Sequence, residues 1–171
     1  MDNIILIGFM GTGKSTVSEC LSRMYAMRIV EMDQVIAERE GMSIPEIFAA
    51  YGEEYFRNLE TRLLVEAQSE RNTVISCGGG AVLRERNVAE MKKNGKVVLL
   101  TASPEVVYER VKDSDDRPVL NGRKNVKEIA DLMEQRREKY EAAADLVIHT
   151  DHKTAPEICE ELIRRLKRME E

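Results

Sequence analysis

Gly8-Phe9-Met10-Gly11-Thr12-Gly13-Lys14-Ser15-Thr16 has the spacing GxxxxGK[ST], which suits a cradle for nucleotide phosphates. Glycines at these places let the backbone N–H groups of Gly11, Thr12, Gly13 and the residues up to Thr16 converge on phosphate oxygens. A helix starting there adds positive potential at its N-terminus. Lys14 is then expected to bridge the β- and γ-phosphates. The Ser15 hydroxyl is expected to be a Mg²⁺ ligand, because the nucleotide brings most of the charge and the protein supplies one or two oxygens. In a chain of this length the pattern arises by chance on the order of 0.5% of the time, so a plain glycine turn is the weaker reading.

A phosphate cradle does not name the reaction. GTPase switches read guanine with NKxD and sense the γ-phosphate with DxxG, and neither pattern occurs here. Motor-type ATPases place a carboxylate at the end of a central apolar strand, whereas Val74 to Cys77 and Val97 to Leu100 end in no acid. The acids come instead in Ile29-Val30-Glu31-Met32-Asp33. A carboxylate pair at i, i+2 beside the cradle can divide two tasks, one near the metal's water shell and one near an attacking hydroxyl. The bland alternative is that Asp33 caps the following helix. Arg57 and Glu60 lie one helical turn apart, so Glu60 could orient the guanidinium, or the two could form a surface pair worth ~0.3 kcal/mol. Arg117 and Arg136 are further cations suited to the charge spread over a transferring phosphoryl group. Cys77-Gly78-Gly79-Gly80-Ala81 would let a ligand come against the backbone at a strand's carboxyl end.

These residues need a scaffold, and the chain alternates apolar runs with amphipathic stretches as a parallel sheet covered by helices on both faces does. The expected strands are Ile4 to Ile7, Arg28 to Glu31, Thr73 to Cys77, Val97 to Leu100 and Leu146 to His149, each without polar alternation and so covered on both faces. Val17, Leu21 and Met24, then Phe56, Leu59, Leu63 and Ala67, then Ile158, Leu162, Leu166 and Met169, mark helix faces expected to be core. The segment from Asp33 to Asn72 should hold at least two helical pieces broken at Gly41, Pro45 and around Tyr51-Gly52. A helix over Pro104 to Val111 and another from near Val126 bracket a polar stretch, Lys112 to Asn125, that reads as a flap. No linker divides the chain, so residues 1–171 read as one α/β domain, with a substrate-binding segment at about 33–61 and a lid at about 112–125.

Composition narrows the function classes. With 26 Lys+Arg against 31 Asp+Glu the 171-residue chain carries −5, no Trp and 5% aromatics, which argues against a nucleic-acid groove. Charged residues at 33% and no long apolar run argue against a membrane protein or a secretion signal. Such a chain can bury roughly 70% of its unfolded surface and needs no staple. Cys20, Cys77 and Cys159 are odd in number, far apart in sequence and without a CxxC. They read as buried thiols in a reducing compartment rather than as disulfides or a zinc site. The nine Met read as gap-filling core.

Taken together, Gly8 to Thr16, Met32-Asp33, Ile47-Phe48 with Gly52-Glu53, Phe56 to Glu60, Gly78 to Ala81, Arg117-Pro118-Val119-Leu120 and Arg136 to Tyr140 resemble the shikimate kinases along essentially the whole chain. The resemblance implies transfer of the γ-phosphate of ATP to the 3-hydroxyl of shikimate, with Mg²⁺, in aromatic amino-acid biosynthesis. The implied fold is a three-layer αβα P-loop fold of the nucleoside monophosphate kinase type, with a five-stranded parallel sheet, a substrate-binding segment and a lid. It also implies that Asp33 binds the substrate hydroxyls and orients or deprotonates the attacking one. Arg57 and Arg136 would clamp the carboxylate as planar bidentate groups do, and Gly79 and Gly80 would approach the substrate. Arg117 would contact the phosphates from the lid, Arg110 and the segment around Pro156 would flank the adenine, and Glu31 would meet the magnesium shell through water. Glu31 departs from the family's usual Asp, and the run to Tyr140 lacks a frequent proline. The expectation is a cytoplasmic monomer with ATP and shikimate as its ligands, in which Lys14, Arg57, Arg117 and Arg136 make a basic pocket. Gluconate kinase, or a nucleotide-binding module without catalysis, is the alternative.

Overall fold

The computed structural model describes residues 2–112 and 125–171. Its sheet consists of β1 (Asn3–Ile7), β2 (Arg28–Glu31), β3 (Thr73–Ser76), β4 (Gly95–Thr101) and β5 (Leu146–His149). All pairings are parallel, in the order β2-β3-β1-β4-β5. The helices are α1 (Lys14–Tyr25), α2 (Met32–Glu40), α3 (Ile44–Tyr51), α4 (Glu53–Ala67), α5 (Glu85–Met91), α6 (Pro104–Val111), α7 (Val126–Ala143) and α8 (Ala155–Met169), with a 3₁₀ turn at Ala81–Leu83.

The strands lack polar alternation because successive side chains enter two different cores. Ile4 and Leu6 join Val74, Val98 and Leu100 under α1 and α8, while Ile5 and Ile7 join Ile75, Val97 and Leu99 under the helices of the other face. Edge strand β2 departs from that expectation. Arg28 and Ile29 are exposed and Val30 and Glu31 half-buried, because among the described residues β2 is an edge strand with β3 as its one strand neighbour.

The segment after β2, expected to hold at least two helical pieces, forms three helices. Gly41 (φ 67°) ends α2 and Gly52 (φ 87°) separates α3 from α4. Pro45 breaks nothing: it sits in the first turn of α3, where its missing N–H costs no bond, and Ser43 caps that helix by accepting from the Glu46 N–H. Ser103 and Thr154 cap α6 and α8 in the same way, each with proline in the first turn. Met24 and Met169, expected in the core, are exposed at the ends of their helices. Cys20, Cys77 and Cys159 are free and buried, as read.

Candidate active site

The carboxyl ends of β1, β2 and β3 open onto a cavity of about 570 Å³, where open parallel sheets bind ligands. After β1 the chain turns through Gly11 (φ 78°) and Gly13 (φ 98°) into α1, whose first residues, Lys14, Ser15 and Thr16, line the cavity with Gly11 and Gly13. Thr12 is buried beneath the loop, its hydroxyl donating to the Phe9 carbonyl at 2.8 Å. Lys14 Nζ donates to the carbonyls of Gly8 (2.7 Å) and Phe9 (3.1 Å), so its charge stays at the loop's centre.

Glu31 ends β2 and Asp33 lies in the first turn of α2, so both face the cavity beside the loop. Asp33 is not the cap of that helix; Glu31 holds the cap position and makes no side-chain capping bond. The Glu31 carboxylate is hydrogen-bonded to Ser76 and Ser15. Burial nevertheless pushes its pKa up, against those two bonds and the Lys14 charge.

Arg57 and Glu60 form a buried pair, not a surface one. Arg57 Nη1 donates to Glu60 Oε1 at 2.8 Å, with Arg57 at 8% and Glu60 at 0% exposure. Arg57 Nε and Nη2 reach Glu53 Oε1 at 3.3 and 3.1 Å. Burial raises the Glu60 carboxyl to about 7 despite Arg57, with the nearby Asp33 charge raising it further. Burial also disfavours the Arg57 charge, but Glu60 and Glu53 outweigh it and hold its pKa above the ordinary value.

The triple glycine lies where side chains from several elements meet. A Cβ on Gly78 would stand 2.8 Å from Glu60 Oε2 and 2.9 Å from Asp33 Oδ1; one on Gly80 would stand 2.6 Å from Arg57 Cζ. A side chain at either glycine would force these carboxylates or the guanidinium to shift. Arg136, on α7, is 7% exposed. Its guanidinium lies 5.9 Å from the Phe9 ring centroid, and its Nη1 has no hydrogen-bond partner among the described residues. Its sequence neighbour Arg137 points outward and pairs with Glu134.

The structure thus brings Lys14, Ser15, Glu31, Asp33, Arg57, Gly79, Gly80 and Arg136 to one cavity. Arg110 also lines it, its Nη1 donating to the Gly11 carbonyl at 2.8 Å, whereas Pro156 starts α8 away from the lining. Arg117 lies outside the described residues. The described lining is not basic: Lys14, Arg57, Arg110 and Arg136 are matched by Glu19, Glu31, Asp33 and Glu60.

Two supports escaped the sequence reading. The Tyr140 hydroxyl, one turn beyond Arg136, donates to the Gly79 carbonyl and also bonds to Arg136. Thr61 donates to Asn87 Oδ1 (2.7 Å), and Asn87 Nδ2 donates to the Ala81 carbonyl (2.8 Å), tying α4 to the turn after the glycines. Polar residues inside apolar helix stripes were the available signal, but their partners are distant in sequence.

A P-loop on a five-stranded parallel sheet, facing carboxylates and buried arginines across one cavity, defines a small-molecule phosphotransferase of the nucleoside monophosphate kinase type. The family model for shikimate kinase matches residues 10–167. A shikimate kinase of Persephonella marina is 43% identical over 167 residues, covering 98% of this chain and 100% of that one. One from Caldanaerobacter subterraneus subsp. tengcongensis is 41% identical over 164 residues, covering 96% and 95%. The solved shikimate kinase from Acinetobacter baumannii in complex with shikimate superposes with a TM-score of 0.94 at 30% identity, covering 99% of this chain and 94% of that one. The chain belongs to the shikimate kinase family.

Proposed function

We propose that this shikimate kinase moves the γ-phosphate of ATP to the 3-hydroxyl of shikimate using the cavity residues in distinct roles. The observation that carries the assignment is the presence of two buried guanidinium groups, Arg57 beside Gly80 and Arg136 beside Gly79, in the lining of the cavity that holds Asp33. Planar forks suit a carboxylate, and Arg136 Nη1 has a donor to give. With the carboxylate held there and Gly79 and Gly80 against the ring, a substrate hydroxyl is directed at Asp33. Phosphoryl transfer has a loose transition state, so Asp33 chiefly orients that hydroxyl and accepts its proton late.

The loop N–H groups from Gly11 to Thr16 bind the ATP phosphates, and Lys14 exchanges its loop carbonyls for phosphate oxygens. Arg110 flanks the adenine side, with Pro156 as a more distant neighbour, and Arg117 reaches the phosphates. The Ser15 hydroxyl bonded to the Glu31 carboxylate is an oxygen donor set that fits Mg²⁺. Ser15 would hold the ion and Glu31 its water shell. The ion supplies neutralisation of phosphate charge. The free buried thiols support a reducing, cytoplasmic setting, and Met24, Ile29, Val65 and Leu83, exposed on different elements, support a monomer.

Shikimate and its methyl ester separate the clamp from mere pocket filling. In calorimetric titration the ester, which has lost the charge, should bind at least tenfold more weakly. Equal affinity of acid and ester would remove Arg57 and Arg136 from carboxylate recognition.

A further inference from the structure

On the sheet face away from the cavity, the fold brings the sulfur of Cys159 from α8 to α1, where Cys20 and Met24 lie. Cys20 and Met24 lie at i, i+4 on α1, with Cys20 Sγ 3.5 Å from Met24 Sδ. Cys159 comes from α8; its thiol donates to the Val17 carbonyl at 3.6 Å, one helical turn before Cys20 on α1, and Cys20 acts on it electrostatically. We propose that Cys20, Met24 and Cys159 form a binding site for one soft monovalent cation, Cu(I), between α1 and α8.

The ligand chemistry selects that class. Thiolate and thioether sulfur favour Cu(I) over harder ions. Among the described residues no group of three or more His, Cys, Asp or Glu could hold a metal, so nothing completes a tetrahedral zinc site. Metal–sulfur bonds of about 2.3 Å put the sulfurs of a trigonal site about 4 Å apart, close to the spacing already present on α1. Access is graded: Cys20 and Cys159 are 1% and 0% exposed, while Met24 is 40% exposed and offers a thioether at the surface.

Binding replaces two S–H bonds with two metal–sulfur bonds and releases two protons to solvent. The cation leaves one net negative charge, which Arg23 opposes and Glu160 adds to, with the Tyr25 hydroxyl nearby. Burial pushes the Cys159 thiol up to about 12, so without the metal this thiol stays protonated. The bound ion would staple the helix that begins at Lys14 to α8 and raise the unfolding temperature by mass action.

Anaerobic titration of the whole protein with Cu(I) against bicinchoninate tests this. The wild type should withhold one equivalent, and its unfolding temperature should rise. Met24→Leu, a change at a half-exposed position, should weaken binding about tenfold; Cys159→Ala should abolish the tight equivalent, and Cys77→Ala should leave it intact. X-ray absorption should show three sulfurs at about 2.3 Å. No tight equivalent, binding that survives Cys159→Ala, unchanged affinity in Met24→Leu, or a nitrogen or oxygen in the shell would each overturn the site.

Discussion

Replacing Arg57 with methionine keeps an apolar stem but removes the cation facing a fully buried carboxylate. Glu60 then loses its 2.8 Å partner and keeps Asp33 as a like-charged neighbour. Breaking a buried pair from one side costs about 3–5 kcal/mol when the remaining charge stays ionised. Glu60 is already raised to about 7, and without Arg57 it rises further, so in acid it sheds its charge and most of the cost disappears. The stability loss should therefore be large at pH 8.5 and well below half of that at pH 5.5, measured by urea unfolding of both proteins. In steady-state assays the KM for shikimate should rise roughly 30- to 150-fold, the equivalent of about 2–3 kcal/mol for hydrogen bonds to a charged group, with the KM for ATP nearly unchanged. Adding Glu60→Gln to the Arg57→Met variant removes the stranded charge, so stability at pH 8.5 should recover while the shikimate KM does not. A pH-independent stability loss, or recovery of KM in the double variant, would show that burial and recognition had been assigned wrongly.

Asp33→Asn should lower kcat by about 10²- to 10⁴-fold with ATP affinity intact by titration; an active variant would take Asp33 out of the reaction. Gly80→Ala places a methyl 2.6 Å from Arg57 Cζ and should raise the shikimate KM at least tenfold, leaving nucleotide binding alone; a silent substitution would mean the guanidinium has room to move. Lys14→Ala should abolish turnover in the same assay, and residual activity near wild type would show the cradle misread. Because Glu60 is held above its ordinary 4.5, the folded state binds the extra proton between about 4.5 and about 7. Its contribution is whole at the low end and lost as pH rises through about 7. Wild type should thus lose stability relative to Glu60→Gln on going from pH 5 to pH 8.5, and parallel curves would contradict the raised value.

Most of the architecture was legible in the sequence. The strand runs, the helix over Pro104–Val111 and the cradle are local signals that tertiary structure reinforced. The misreadings concern coverage. Periodicity marks the apolar face of α1 or α8 but not where the neighbouring element stops, so Met24 and Met169 emerge into solvent. Likewise Arg28–Glu31 reads as a buried strand although, among the described residues, β3 is its one strand neighbour. Pro45 looks like a break until Ser43 is seen to cap the helix it starts. At the site, residue types were legible and their pairing was not. The burial of Glu60, the support of Gly79 by Tyr140 and the meeting of Cys20 with Cys159 depend on elements far apart in the chain.

Phosphorus NMR of products formed from ATP·Mg²⁺ with shikimate, gluconate and nucleoside monophosphates in parallel tests the assigned reaction most directly. Shikimate alone should give a new phosphomonoester, at the 3-position, in step with ADP. A phosphomonoester from gluconate, or a new phosphoanhydride from a nucleoside monophosphate, with no product from shikimate, or ATP binding with no product at all, would contradict it.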